Sequence, residues 1–212
     1  MDQHVVLLGD STFDNASYTG GEPDVVRHLQ SILPSEWRAS LLAVDGAITR
    51  NLSSQLRRIP ADASHLAVSI GGNDLLGQMD LLDTPVRSTA EALELFHEEV
   101  EEFEASYRRA VEEVLRMGKP TTICTVYNGS FPDPVEARTA RIALTFFNDV
   151  IFRTAFEHGL SMIDLRLVCD RPEDYANPIE PSGPGGRKIA LAIARSVGAL
   201  GPVDRVARVL AG

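Results

Sequence analysis

Val5-Val6-Leu7-Leu8 is an unbroken run of branched apolar side chains that stops at Gly9-Asp10-Ser11. A strand with one wet face alternates in polarity. One that is apolar at every position must be covered on both faces, as in the middle of a parallel sheet with helices on either side. The glycine and the two small polar residues that follow read as a tight turn. Ser11 therefore stands at the carboxyl end of the strand. Open α/β sheets bind ligands at that edge, so its hydroxyl is a candidate nucleophile. Taken alone, Gly-Asp-Ser is equally a common way to cap a turn into a helix.

The pattern recurs along the chain. Ala39 to Val44 ends in Asp45-Gly46-Ala47, His65 to Ile70 stops at Gly71-Gly72-Asn73-Asp74, and Thr121 to Tyr127 is closed by Asn128-Gly129. A further strand lies around Leu160 to Leu165. Helical spacing fills the intervals. It covers Asp24 to Leu33, ended by Pro34; Thr84 to Met117; and Val135 to His158, with Ile142, Phe146, Ile151 and Phe152 pointing inward. Alternation of this kind predicts an α/β fold of about five parallel strands with helices on both faces. A chain of 212 residues, 44% hydrophobic, suffices for one well-buried core but not comfortably for two, so residues 1–212 are expected to form a single domain.

Charge and composition exclude several roles. A net charge of −10 argues against nucleic acid or an anionic membrane surface as partner, since both need a basic face. Met1-Asp2-Gln3-His4 is followed by only four strongly apolar residues, so neither a secretory signal nor a membrane span is expected, and a cytoplasmic location is. Cys124 and Cys169 show no metal-ligand spacing and read as reduced thiols. Glu98, Glu99, Glu101, Glu102 and Glu104 read as the solvated face of a long helix. His28 and His97 read as surface residues, and His158 as a helix C-terminal residue favoured by the dipole.

In a parallel sheet the ends of the first three strands lie side by side, which brings Ser11, Gly46 and Asn73 together. This set suits acyl transfer. A serine attacking a carbonyl needs donors aimed at the developing oxyanion; glycine lets a backbone N–H approach closely, and asparagine supplies an amide. Glycines that merely permit turns account for Gly46 well, and for Gly71-Gly72-Asn73-Asp74 poorly.

Here the chain resembles the SGNH or GDSL-type hydrolases, in which a serine, glycine, asparagine and histidine occupy four blocks. Gly9-Asp10-Ser11 is similar to the nucleophile block, Gly46 in Val44-Asp45-Gly46-Ala47 to the glycine block, and Gly71-Gly72-Asn73-Asp74 to the asparagine block. The resemblance implies a flavodoxin-like three-layer α/β/α fold and no metal or organic cofactor. It also implies hydrolysis of a small-molecule ester, with the Ser11 backbone, Gly46 and Asn73 as oxyanion hole.

The last block departs from the pattern. Where the family has Asp-x-x-His before a terminal helix, this chain has Asn177-Pro178-Ile179-Glu180, followed by Gly185-Gly186-Arg187-Lys188. His4 and His65 open strands at the far edge, and the other three histidines lie on helices. Glu180 is therefore the candidate proton acceptor, with a neutral Asn177 to orient it. Asp14 and Asp74 compete for the role, although Asp10 and Asp74 read as turn residues. A free glutamate has a pKa of about 4.3 against about 6.5 for histidine, so roughly 3 kcal/mol of proton affinity must come from burial. Three readings follow: a serine esterase with a Ser-Glu pair, a binding protein that keeps the pocket without the chemistry, and an acyltransferase on the same scaffold. Acyl chain length, leaving group and oligomeric state are not set by these motifs.

Overall fold

The computed structural model describes residues 2–201; Met1 and residues 202–212, part of the expected 1–212 domain, lie outside them. Five strands, β1 (Gln3–Gly9), β2 (Trp37–Leu41), β3 (His65–Ser69), β4 (Thr121–Cys124) and β5 (Ser161–Ile163), form one sheet in the order β2-β1-β3-β4-β5. Every pairing is parallel. The helices are α1 (Val25–Ile32), α2 (Leu52–Leu56), α3 (Gly72–Leu76), α4 (Thr89–Leu115), α5 (Pro134–Glu157), α6 (Leu165–Val168) and α7 (Gly183–Ser196).

The apolar β1 run is covered on both faces because its side chains alternate between two cores. Val6 and Leu8 join Leu66, Val68 and Ile123 under α2, α4 and α5. Val5 and Leu7 point the other way, into a cluster with Val25 and Leu29 of α1 and Ile189 and Ile193 of α7. All four β1 residues are fully buried. This is the three-layer arrangement with the strand order of flavodoxin-like folds. The order reverses between β1 and β3, which opens a crevice at their carboxyl ends.

Several boundaries differ from the sequence expectation. β2 starts at Trp37 and ends at Leu41, because Gln3 of β1 pairs with Trp37 and the chain leaves the sheet after the Leu7–Leu41 pair. The long helix expected from Thr84 begins at Thr89. Ser88 caps it, accepting a hydrogen bond from the Glu91 N–H, while Met79–Asp83 forms a separate 3-10 turn on the other side of Pro85. β4 stops at Cys124 rather than Tyr127, and β5 covers only Ser161–Ile163. Ile142 is not inward: it is 64% exposed, because the buried stripe of α5 runs through Ala140, Ala143, Leu144, Phe147 and Ile151.

Glu104 is not simply solvated. It accepts from Arg108 and Arg153, and Arg108 also pairs with Glu157, a ladder that ties α4 to α5. His28 is half-buried in a groove shared with Gly183, Arg187 and Leu191 of α7, rather than free on the surface.

Candidate active site

Gly9 closes β1 in a conformation with φ of 128°, and a Cβ there would lie 1.7 Å from the Ser69 carbonyl oxygen of β3. Only glycine lets the two strand ends approach this closely. The turn beyond is held by Asp10: its N–H donates to the Ser69 carbonyl, its own carbonyl accepts from Phe13 and Asp14, and its carboxylate accepts from the Thr12 N–H at 3.0 Å. Ser11 is presented from this turn into a pocket whose lining also includes Asn73, Asn128 and Glu180.

Two buried amides fix the strand ends, and neither is singled out by the sequence. Gln55 of α2 accepts from the Gly9 N–H and donates to the Gly9 carbonyl, both at 2.8 Å. Asn148 of α5 makes the same double bond to Val126, just past β4, at 2.8 and 2.9 Å. Such a clamp satisfies backbone groups where the sheet ladder runs out, deep enough that water cannot. The available signal is a lone amide inside an apolar helical stripe, Gln55 beside Leu52 and Leu56, and Asn148 beside Phe147 and Ile151.

Asn73 sits in the first turn of α3, and its amide donates to the Ala47 carbonyl at 3.0 Å. That bond fastens the asparagine turn to the turn holding Gly46, which is exposed with φ of 75°. The remaining amide hydrogen of Asn73 is available to a ligand. Gly46 lies in the adjoining turn and is not part of the pocket lining. That turn is fixed from the Ser11 side as well: Asp45 donates its N–H to the Asp14 carboxylate and accepts from the Tyr18 hydroxyl.

The loop carrying Glu180 is held from several directions. The Tyr127 hydroxyl donates to the Ile179 carbonyl at 2.5 Å, the Asn15 amide to the Pro181 carbonyl, the Ser130 N–H to the Pro178 carbonyl, and the Ala176 N–H to the Glu180 carbonyl. Asn177 contributes here, but not as expected. Its side-chain oxygen accepts the N–H groups of Ile179 and Glu180, so it shapes the backbone turn and does not touch the Glu180 carboxyl.

Glu180 itself is only 6% exposed, and its Oε2 has no hydrogen-bond partner among the described residues. Burial pushes its pKa up to about 7; the Ser11 hydroxyl beside it draws the value down, and the charges of Asp45 and Asp10 raise it. Asp10 is likewise raised to about 7, by burial first, against the hydrogen bonds from Thr12. The competing carboxylates have other partners: Asp14 accepts from Asp45, and both oxygens of Asp74 accept from Thr49. Burial raises the Tyr127 phenol well above its ordinary range, with Asp10 and Glu180 adding to the effect, so it stays a proton donor to the loop.

A serine, a histidine and an aspartate do meet at the opposite edge of the sheet, where His4 Nε2 lies 2.8 Å from the Ser40 hydroxyl and Nδ1 3.4 Å from Asp62. Arg38 crowds the same Nε2 at 3.3 Å. Burial, with the guanidinium charge added to it, lowers the proton affinity of His4. The arrangement is a buried cross-link of β1 and β2, far from the Gly-Asp-Ser turn.

Among the described residues there is no cluster of histidine, cysteine and acidic side chains able to hold a metal, and no helix is long and apolar enough to cross a membrane. Cys124 and Cys169 are free and buried.

No curated protein matches the sequence. Solved structures do match in fold. The chain is 22% identical to LAE5, an alpha/beta hydrolase from the metagenome of Lake Arreo, with a TM-score of 0.67 over 93% of this chain and 96% of that one. It is 21% identical to an acetylxylan esterase from Geobacillus stearothermophilus, with a TM-score of 0.64 over 96% and 97%. It is 16% identical to the extracellular lipase of Streptomyces rimosus, with a TM-score of 0.64 over 90% and 98%. At these identities the likeness is one of fold. The sequence profile of the GDSL-like lipase/acylhydrolase family adds a direct match over residues 7–186, from the β1 strand to the first turn of α7, and the chain belongs to that family.

Proposed function

We propose that the protein is a serine-dependent ester hydrolase in which Ser11 is the nucleophile and Glu180 the proton acceptor. Ser11 attacks the ester carbonyl while its proton passes to Glu180. The oxyanion that forms is met by the Ser11 N–H and the Asn73 amide, with the Gly46 N–H approaching from the adjoining turn. Protonated Glu180 then gives its proton to the departing alkoxide. A water molecule attacks the acyl-serine and gives a proton to Glu180; the intermediate collapses with cleavage of its bond to Ser11, Glu180 returns the proton to the Ser11 oxygen, and the carboxylic acid leaves. Asn177, in this reading, positions Glu180 through the backbone.

The observation that carries the proposal is the state of Glu180: buried, unpartnered at Oε2, beside Ser11, and with a pKa of about 7. A base poised near neutrality suits general-base catalysis, and the shift supplies the basicity that a free glutamate lacks beside histidine. Two free, buried cysteines are consistent with a cytoplasmic setting.

The test is labelling with a fluorophosphonate, which reports an activated serine without requiring the natural substrate. The parent should be labelled and Ser11→Ala should not. An unlabelled parent that still binds carboxylates would instead support a non-hydrolytic binding protein.

A further inference from the structure

We propose that the apolar slot between the Met79–Asp83 turn and α5 receives the acyl chain of the substrate, and that Ala140 and Ala143 set its capacity, so that the protein favours esters of medium and long aliphatic acids. This rests on Ser11 being the nucleophile.

The pocket that opens at Ser11 has two kinds of wall. Its polar groups, among them Asp10, Ser11, Thr12, Asn73, Asn128 and Glu180, belong to the sheet edge and the loops above it. Away from that edge, apart from Gln78, the lining is aliphatic and aromatic. On one side are Leu75, Leu76, Met79, Leu81 and Leu82; on the other are Ala140, Ala143, Leu144 and Phe147. The second group recurs at helical spacing, so a single face of α5 supplies it. A site with reacting groups at the mouth and apolar walls beyond suits an acyl ester with its carbonyl at Ser11 and its chain among the leucines. An acetyl group would use only the mouth.

The exposure of these walls is informative. Leu75, Leu76, Met79, Leu81 and Leu82 are all half-exposed, whereas Ala140, Ala143, Leu144 and Phe147 on the α5 wall are buried. Contiguous apolar side chains left facing a gap mark a ligand surface. The helices are also arranged to leave that gap. The ladder of Glu104, Arg108, Arg153 and Glu157 ties α4 to α5 toward their C-terminal ends, whereas nearer the slot the helices meet through aromatic pairs, Phe96–Phe146 and Phe103–Phe147, with ring centroids 5.6 and 5.0 Å apart. An entering chain meets little that must be desolvated. Alanines at 140 and 143 leave room that bulkier residues, like Leu144 and Phe147 on the same face, would fill.

The experiment compares kcat/KM for p-nitrophenyl acetate, butyrate, octanoate and decanoate in the parent, Ala143→Leu and Ala140→Leu, with thermal unfolding to confirm that each variant is folded. The parent should prefer decanoate to acetate by at least about tenfold, the worth of even one well-lodged methylene, and a leucine substitution should lower that ratio by a similar factor. A parent that turns over acetate as fast as decanoate overturns the proposal. So does a folded Ala143→Leu that slows all esters equally.

Calorimetric binding of decanoate to Ser11→Ala keeps the slot separate from the chemistry. Decanoate should bind Ser11→Ala, and adding Ala143→Leu should weaken that binding about tenfold or more. If no ester is hydrolysed but this pattern holds, the nucleophile reading fails and the apolar site stands. If acetate is hydrolysed through Ser11 and decanoate does not bind, the slot assignment fails alone.

Discussion

Replacing Glu180 by glutamine separates what this side chain does for the reaction from what it does to the fold. Its carboxyl is raised from 4.5 to about 7, chiefly by burial. The folded state therefore holds the proton more tightly than the unfolded chain does between those two values. Its contribution to stability is fully present below the unfolded pKa and is lost as pH rises through the folded one. A shift of that size corresponds to about 3 kcal/mol, an upper figure because some of the strain can relax. Glutamine keeps the shape and does not titrate. In urea unfolding at a series of pH values from 4 to 8, the stability of Glu180→Gln relative to the parent should rise by up to about 3 kcal/mol, with most of the gain above pH 5. Using the difference between the two proteins cancels the titration of His4 and of groups remote from Glu180; Asp10, coupled to Glu180, contributes a smaller residual. Over the same range the parent's ester hydrolysis should show an acid limb near 7. Glu180→Gln should lose several orders of magnitude in kcat along with that limb. A relative stability that stays flat from pH 4 to 8 would mean that Glu180 titrates like a free glutamate, and the basicity argument would fall. A variant as active as the parent would remove Glu180 as the base, whatever its stability.

Asn73→Ala should lower kcat by about 10²–10³-fold, the usual loss for one oxyanion donor, with smaller changes in KM. Gln55→Ala leaves the Gly9 N–H without its buried partner, while the Gly9 carbonyl keeps the Val44 N–H, so chemical denaturation should show a loss of about 1–3 kcal/mol and steady-state assays a drop in kcat as the Ser11 turn loosens. Glu104 is held at about 2, first by Arg153 and also by Arg108, so its stabilisation is present above its ordinary pKa and is lost as pH falls toward 2. Glu104→Gln should cost about 1–2 kcal/mol at neutral pH after discounting for solvent screening, less in high salt, and leave hydrolysis of short esters nearly unchanged.

Much of the site was legible in the residues themselves. Small polar turns closing apolar strands put Ser11, Gly46 and Asn73 at one sheet edge because strand direction in a parallel sheet leaves no other place for them. Partner choice was not legible. Asn177 has the spacing of an orienting residue, yet an asparagine two or three residues ahead of free N–H groups readily caps a turn, and here it does so. Ile142 has helical spacing with Phe146, but the buried stripe passes through the small residues Ala140 and Ala143, which line the pocket and which hydrophobicity alone does not favour. Gln55 and Asn148 look like surface amides until the strand ends they clamp are known.

The sequence by itself determined the architecture and named Ser11 as the candidate nucleophile. A strand apolar at every position demands cover on both faces, and a turn of glycine and small polar residues at its end puts the Ser11 hydroxyl at the binding edge. The tertiary structure alone decided how basic Glu180 is. Proton affinity depends on what surrounds a carboxyl in space, and the groups that bury this one and hold its loop, from Asn15 through Tyr127 to Ser130, come from distant stretches of the chain. The same holds for the slot beside Ser11, whose walls belong to segments some sixty residues apart and acquire a shared purpose only when the helices have packed.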